Sequence, residues 1–198
     1  MWTDKLKKVK LILASGSPRR KQFFEDLDLE VTIDVRPVNE IYPDQLKGSE
    51  ISDYLAVLKA SKFKETLTKN EVVITSDTVV WYKDMSLAKP ADDNEAYSML
   101  RVLSNDWHEV ITSVCFTTIH IQKIVNCTTQ VKFKELTDEE IWHYIRKYKP
   151  FDKAGGYGIQ EWIGLIGIEE IRGSHANVVG LPTHLVHKTL MDMVQGVI

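Results

Sequence analysis

The sequence predicts an α/β fold: a mixed, largely elongated β-sheet flanked by helices. Three observations carry that expectation. Apolar runs of strand length alternate with helical stretches along the whole chain. His108 to Lys134 is rich in β-branched residues and holds neither glycine nor proline, as expected of two long strands joined by a direct reversal. The 198 residues are 43% hydrophobic and 27% charged, enough to bury a sizeable core and too apolar for disorder. One domain over residues 1–198 is expected, with no repeat, linker or low-complexity tract.

The elements follow in order. Leu11-Ile12-Leu13-Ala14 is a buried strand that breaks into the turn Ser15-Gly16-Ser17-Pro18. Ser17 suits a helix N-cap and Pro18 the first helical position, and Phe23, Phe24 and Leu27 form the apolar stripe. Val31 to Val35 alternates like a strand, and Pro37 to Ser49 reads as loop. The spacing of Ile51, Tyr54, Leu55 and Leu58 predicts a helix from Ser49 to about Leu67. Val72 to Thr75 is a buried strand that meets Ser76-Asp77-Thr78 and resumes at Val79 and Val80. Asp92-Asp93 opens a helix carrying Ala96, Met99, Leu100 and Leu103. The paired strands of His108 to Lys134 then meet near His120 to Lys123, and Thr137 to Glu140 is a capping box that starts a helix reaching about Tyr148. Glycine crowds Gly155 to Gly158, an apolar run spans Trp162 to Ile168, and a last helix begins near Pro182.

Several function classes are excluded by composition. A net charge of −3 gives no basic field for nucleic acid, so any phosphate site must be local. Cys115 and Cys127 lack zinc-ligand spacing and read as buried thiols, although a hairpin would let them face each other. Met1 to Lys10 is charged but is not followed by an apolar region of signal-peptide length, and no stretch is long enough to span a membrane. A cytoplasmic protein with no membrane partner is the expectation.

Chemistry is concentrated in a few places. Free N–H groups at the start of the first helix, with the Ser15 and Ser17 hydroxyls, make an anion cradle. Arg19 and Arg20 stand in that first turn against the helix dipole, a penalty of a few tenths to about 1 kcal/mol each that an anionic ligand would reverse. Arg20 precedes Phe23, Phe24 and Leu27 by three, four and seven residues, so it shares their inward face. Asp77 interrupts an apolar strand, where a lone carboxylate would cost several kcal/mol. Either the strand ends there, or Asp77 has a partner: a lysine, a metal or a reacting water. Lys59, four residues after Leu55, lies beside the buried face of its helix and either snorkels or points inward. Lys89 is held extended by Pro90. Glu40, in a loop, is either solvated or shares a metal with Asp77. His108 reads first as a structural histidine. Asp152 to Gln160 combines charges with three glycines, either a tight turn or a close approach to a ligand whose base edge Gln160 would suit.

Six segments in register, Ser15 to Arg20, Ser76 to Val80, Lys89-Pro90, His108 to Thr112, Asp152 to Gln160 and Asn177 to Pro182, resemble the Maf family of nucleotide pyrophosphatases over nearly the whole chain. The resemblance implies an architecture with a cleft between two lobes. It also implies cleavage of a nucleoside triphosphate between the α and β phosphates with Mg²⁺ or Mn²⁺. By motif, the general base falls on Asp77, phosphate contacts on Ser15, Arg20, Lys59 and Lys89, and metal contacts on Asp77 and Glu40. Base preference is implied at Arg19, Thr78 and Gln160, which are similar to the branch acting on dTTP and UTP and differ from the branch acting on 7-methyl-GTP. Two departures stand out: Ser76 replaces a small apolar residue, and the Val80 to Lys89 connection lacks an Asp-Gly-type turn. The family is also associated with septum formation, so a nucleotide-responsive regulator is a second expectation and hydrolysis of non-standard nucleotides such as inosine triphosphate a third. A homodimer is left open.

Overall fold

In the computed structural model, which describes Leu6 and residues 8–195, seven strands form one mixed sheet of order β2-β1-β3-β5-β6-β7, with β4 beside β3. Residues 1–5 and 7, part of the charged amino-terminal segment, and residues 196–198 lie outside the described residues. The strands are β1 (Lys10–Leu13), β2 (Thr32–Ile33), β3 (Glu71–Tyr82), β4 (Met85–Leu87), β5 (Trp107–Thr117), β6 (Gln122–Phe133) and β7 (Ile168–Arg172). The helices are α1 (Pro18–Asp26), α2 (Ser49–Ser61), α3 (Asp93–Leu103), α4 (Asp138–Tyr148), α5 (Trp162–Gly167), α6 (His175–Val179) and α7 (Thr183–Gln195). The chain divides into two compact units, one of Met1–Asp77, Thr112–Cys127 and Gly180–Ile198, the other of Thr78–Ile111 and Thr128–Val179.

In the first unit β1 runs parallel to β2 and to the opening residues of β3, from Lys10↔Glu71 to Leu13↔Ile74. The period of two sorts their side chains. Leu11, Leu13, Val72 and Ile74 join Phe24 of α1 and Leu181, Val186 and Leu190 in one core, while Ile12 and Val73 turn to the opposite face with Phe63. Small residues on α2 let it lie close: Ala56 and Ala60 pack on Cys115, Thr75 Oγ1 donates to the Ala56 carbonyl at 2.7 Å, and the Ser52 and Ser113 hydroxyls bond at 2.6 Å.

The second unit packs α3 and α4 around Val80, Leu100, Leu103, Phe133, Tyr144 and Ile145. β3 turns into β4 through Lys83 and Asp84, both at positive φ (45° and 64°), so a hairpin forms without the glycine usual at such positions. His108 is structural: its Nε2 bonds the Tyr157 hydroxyl at 2.6 Å, its ring stacks on Phe133, and burial pushes its pKa down to about 3.

Several boundaries differ from the sequence expectation. β3 runs through Ser76, Asp77 and Thr78 to Val80 as expected, without a break, and two residues further, to Tyr82. β2 covers only Thr32 and Ile33, both exposed, with the Asp34 N–H reaching the Leu13 carbonyl at 3.3 Å just beyond it. α2 ends at Ser61, not near Leu67, with tighter turns following at Phe63 and Thr66. The Arg36 guanidinium donates to the Lys62 carbonyl at 2.8 Å and to Thr66 Oγ1 at 2.7 Å, taking an acceptor that a further helical turn would need. Cys115 and Cys127 form no disulfide; Cys115 is buried as expected, but Cys127 is only half-buried. Among the described residues no helix is long and apolar enough to cross a membrane.

Candidate active site

The turn after β1 is built by its own hydroxyls. Ser15 is buried and its Oγ accepts from the Ser17 N–H at 3.2 Å, and Ser17 caps α1 by accepting from the Arg20 N–H at 3.4 Å. No acidic residue stands in the first turn of α1 to answer the helix dipole, and the place where a Gly16 side chain would project is open space. Arg20 turns inward as its spacing predicts. Its Nε donates to the Gly180 carbonyl at 2.9 Å and its Nη1 to the Ser76 carbonyl at 2.9 Å and to Ser15 Oγ at 3.4 Å. Burial lowers the guanidinium pKa, with the attraction of Asp77 opposing it.

Asp77 is 7% exposed. Alternation on β3 places it on the face of Thr75, toward α2, where Lys59 Nζ donates to Asp77 Oδ1 at 2.6 Å. The same ammonium reaches Glu40 Oε1 at 3.1 Å, so one cation bridges a buried and a half-exposed carboxylate. Burial raises the Asp77 pKa, against the pull of Lys59 and Arg20; Glu40 raises it further. The first unit thus gathers Ser15, Arg19, Arg20, Glu40, Lys59 and Asp77.

Asp77 and Glu40 offer hard oxygen donors of the kind Mg²⁺ and Mn²⁺ take. Among the described residues no three His, Cys, Asp or Glu side chains gather as a metal site. Two carboxylates, with water and substrate phosphate completing the shell, would be enough for Mg²⁺, which seldom uses an all-protein cage, although here the Lys59 ammonium stands between them at 2.6 and 3.1 Å.

Thr78, Lys89 and Gln160 belong to the second unit. Lys89 and Gln160 are exposed, and Thr78 is half-buried. Gly155 and Gly156 both stand at positive φ (70° and 69°), and the Gly155 N–H donates to the Ala88 carbonyl at 3.0 Å, which ties the glycine-rich segment to the residue before Lys89. Sequence reasoning names Lys153 only as one charge of this segment and misses its partners Glu161 and Tyr144. Lys153 is buried and paired with Glu161 at 3.1 Å, and Glu161 in turn accepts from the Tyr144 hydroxyl. No periodic signal announces such a set, because Tyr144 falls on the apolar stripe of α4 like any core aromatic.

The model of the Maf-like protein family matches residues 10–193. The dTTP/UTP pyrophosphatase of Christiangramia forsetii is 56% identical over 99% of this chain and 100% of its own. That of Flavobacterium psychrophilum is 54% identical over 97% and 98%. Among solved structures, the nucleoside-triphosphatase / dITP/XTP pyrophosphatase of Mycobacterium abscessus aligns with a TM-score of 0.48 at 13% identity, over 95% of this chain and 97% of that one. With a family model matched along nearly its whole length and relatives more than half identical to it, the chain belongs to the Maf family.

Proposed function

We propose that this protein is a nucleoside triphosphate pyrophosphatase that hydrolyses dTTP and UTP to the monophosphate and pyrophosphate. The relatives named above are dTTP/UTP pyrophosphatases over essentially their full lengths. The observation that carries the chemistry is the buried Asp77 carboxylate, of raised pKa, held at 2.6 Å by Lys59. A carboxylate moved up toward neutrality is matched to general-base work.

In this reading Lys59 fixes Oδ1 of Asp77, and the other oxygen takes a proton from the water that attacks the α-phosphorus. The bond to the bridging oxygen breaks and pyrophosphate leaves with the displaced electron pair. Ser15, Arg20, Lys59, Lys89 and the N–H groups opening α1 hold the phosphates and offset the charge gathering on the leaving group. The carbonyls of Gly180 and Ser76 aim Arg20 before substrate arrives. A Mg²⁺ or Mn²⁺ ion held by Asp77 and Glu40 would supply Lewis-acid polarisation of the phosphate oxygens. Gln160 and Thr78 read the pyrimidine edge, and Arg19 helps orient the base. The regulator reading is not favoured, since pure binding requires no buried base at Asp77.

The test is a panel of triphosphates, inosine triphosphate included, with Mg²⁺ or Mn²⁺. The dTTP and UTP reactions should release pyrophosphate fastest; single orthophosphate as the product would overturn the α–β assignment.

A further inference from the structure

The proposed chemistry leaves a buried polar network of the second unit, around Lys153, without a task. The Lys153 ammonium, 9% exposed, pairs with Asp152 Oδ1 at 2.7 Å and Glu161 Oε1 at 3.1 Å. The Tyr144 hydroxyl donates to Glu161 Oε2 and accepts from the Gly158 N–H at 3.0 Å. The Glu161 N–H returns to the Gly158 carbonyl at 2.9 Å, closing a turn with Gln160 inside it. Three side chains converge on Gly158: a Cβ there would stand 3.0 Å from each of Gln160 Nε2, Glu161 Cδ and Lys153 Cε. Gln160 itself is exposed, and its Nε2 lies beside Gly158, whose N–H the Tyr144 hydroxyl accepts.

Two features argue that this is more than the fastening of a loop. Burying a charged pair is seldom better for stability than apolar side chains of the same volume, and the unit already has a large apolar core. The network is also anchored to a rigid element. Tyr144 is fully buried on α4, which is capped at its N-terminus, so its hydroxyl is a fixed point for the Gly158 N–H.

We propose that Tyr144, Glu161 and Lys153 are positioning residues for base selection: they hold the Gly158 to Gln160 turn and thereby set where the Gln160 amide meets the nucleobase. The proposal rests on the reading of Gln160 as the residue facing the base.

The experiment compares kcat/KM for dTTP and CTP in the parent, Tyr144→Phe, Gln160→Ala and the double variant, with a thermal melt of each. Tyr144→Phe should lower the dTTP preference roughly tenfold, the scale of one lost hydrogen bond. Most of that loss should lie in the KM for dTTP, and Tyr144→Phe should change nothing further once Gln160 is Ala. Glu161→Gln, which keeps an oxygen for Tyr144, should retain the preference that Glu161→Ala loses; this pair carries the same test if Tyr144→Phe does not fold. If Tyr144→Phe and Glu161→Ala lower only the melting temperature while Gln160→Ala lowers the preference, the network is structural and this proposal alone falls. If Gln160→Ala leaves the preference unmoved, the role of Gln160 falls and takes the network's role with it.

Discussion

At Asp77 stability and chemistry pull in opposite directions. Burial raises the pKa of its carboxyl above the ordinary 3.8 despite Lys59 and Arg20. A group whose folded pKa is raised contributes stability below its unfolded pKa and loses it as pH climbs through the folded value. Above that folded value the ionised Asp77 therefore weighs against the fold. Asp77→Asn, neutral at every pH, should melt no lower than the parent at pH 7, with the difference shrinking as pH falls toward 3.8, because Lys59 keeps its contact with Glu40. Turnover of dTTP should fall by on the order of 10²–10⁴-fold, the contribution of a general base. A variant that melts well below the parent at pH 7, or one that keeps its turnover, would contradict this account. Asp77 is legible in the sequence because a carboxylate amid apolar strand residues demands a cation, and Lys59 because its helical spacing puts it beside the buried face. Tyr144 and Glu161 are not, since their hydrogen bond depends on how α4 meets a glycine-rich turn that has no periodicity.

At the scale of the element, legibility follows how local the determining contacts are. The start of α4 is written in four consecutive residues. The Glu140 N–H donates to Thr137 Oγ1 at 3.2 Å and the Thr137 N–H to Glu140 Oε2 at 2.9 Å, as the capping box requires. Thr137→Ala should cost about 1 kcal/mol. That would appear as a lower denaturant midpoint with the dTTP rate at 25 °C unchanged, since a fold of ordinary stability, about 5–15 kcal/mol, survives such a loss. An unmoved midpoint would show that the Thr137 cap adds nothing to stability. The end of α2 is not local: Phe63 and Leu67 continue the helical spacing, and the helix stops where Arg36, distant in sequence, takes the Lys62 carbonyl while lying over the Phe63 ring. β4 is hidden for a related reason. Lys83 is not a hairpin residue by preference, and Asp84, which tolerates positive φ, is not followed by the glycine that would mark a turn; both conformations go with the pairing of Val80 with Leu87 and Tyr82 with Met85 on either side.

For the molecule as a whole, the alternation of strands and helices is visible in the sequence, but the division into units is not, because neither unit is one stretch of chain. The boundaries fall inside β3, β5 and β6, and the final segment, from Gly180 onward, belongs to the same unit as Asp77. That segment puts Leu181, Val186, Leu190 and Met193 into the core beside β1 and β3, each 6% exposed or less. At about 1.5–3 kcal/mol for each buried side chain, the four are worth about 6–12 kcal/mol, as much as the entire stability of an ordinary domain. The Gly180 carbonyl also receives Arg20 Nε at 2.9 Å, so the same segment helps aim a proposed phosphate ligand. A chain ending at Val179 keeps every residue assigned to hydrolysis, from Ser15 to Gln160. It should nevertheless show no cooperative thermal transition by circular dichroism and release no pyrophosphate from dTTP. The milder Leu190→Ala, in the full-length chain, should cost about 2–5 kcal/mol and leave the rate at 25 °C intact so long as the protein stays folded. A truncated chain that melts cooperatively and hydrolyses dTTP would mean that the residues before Gly180 hold the site unaided. Loss of both, with Leu190→Ala only less stable, would identify α7 as part of the scaffold that keeps Asp77 buried.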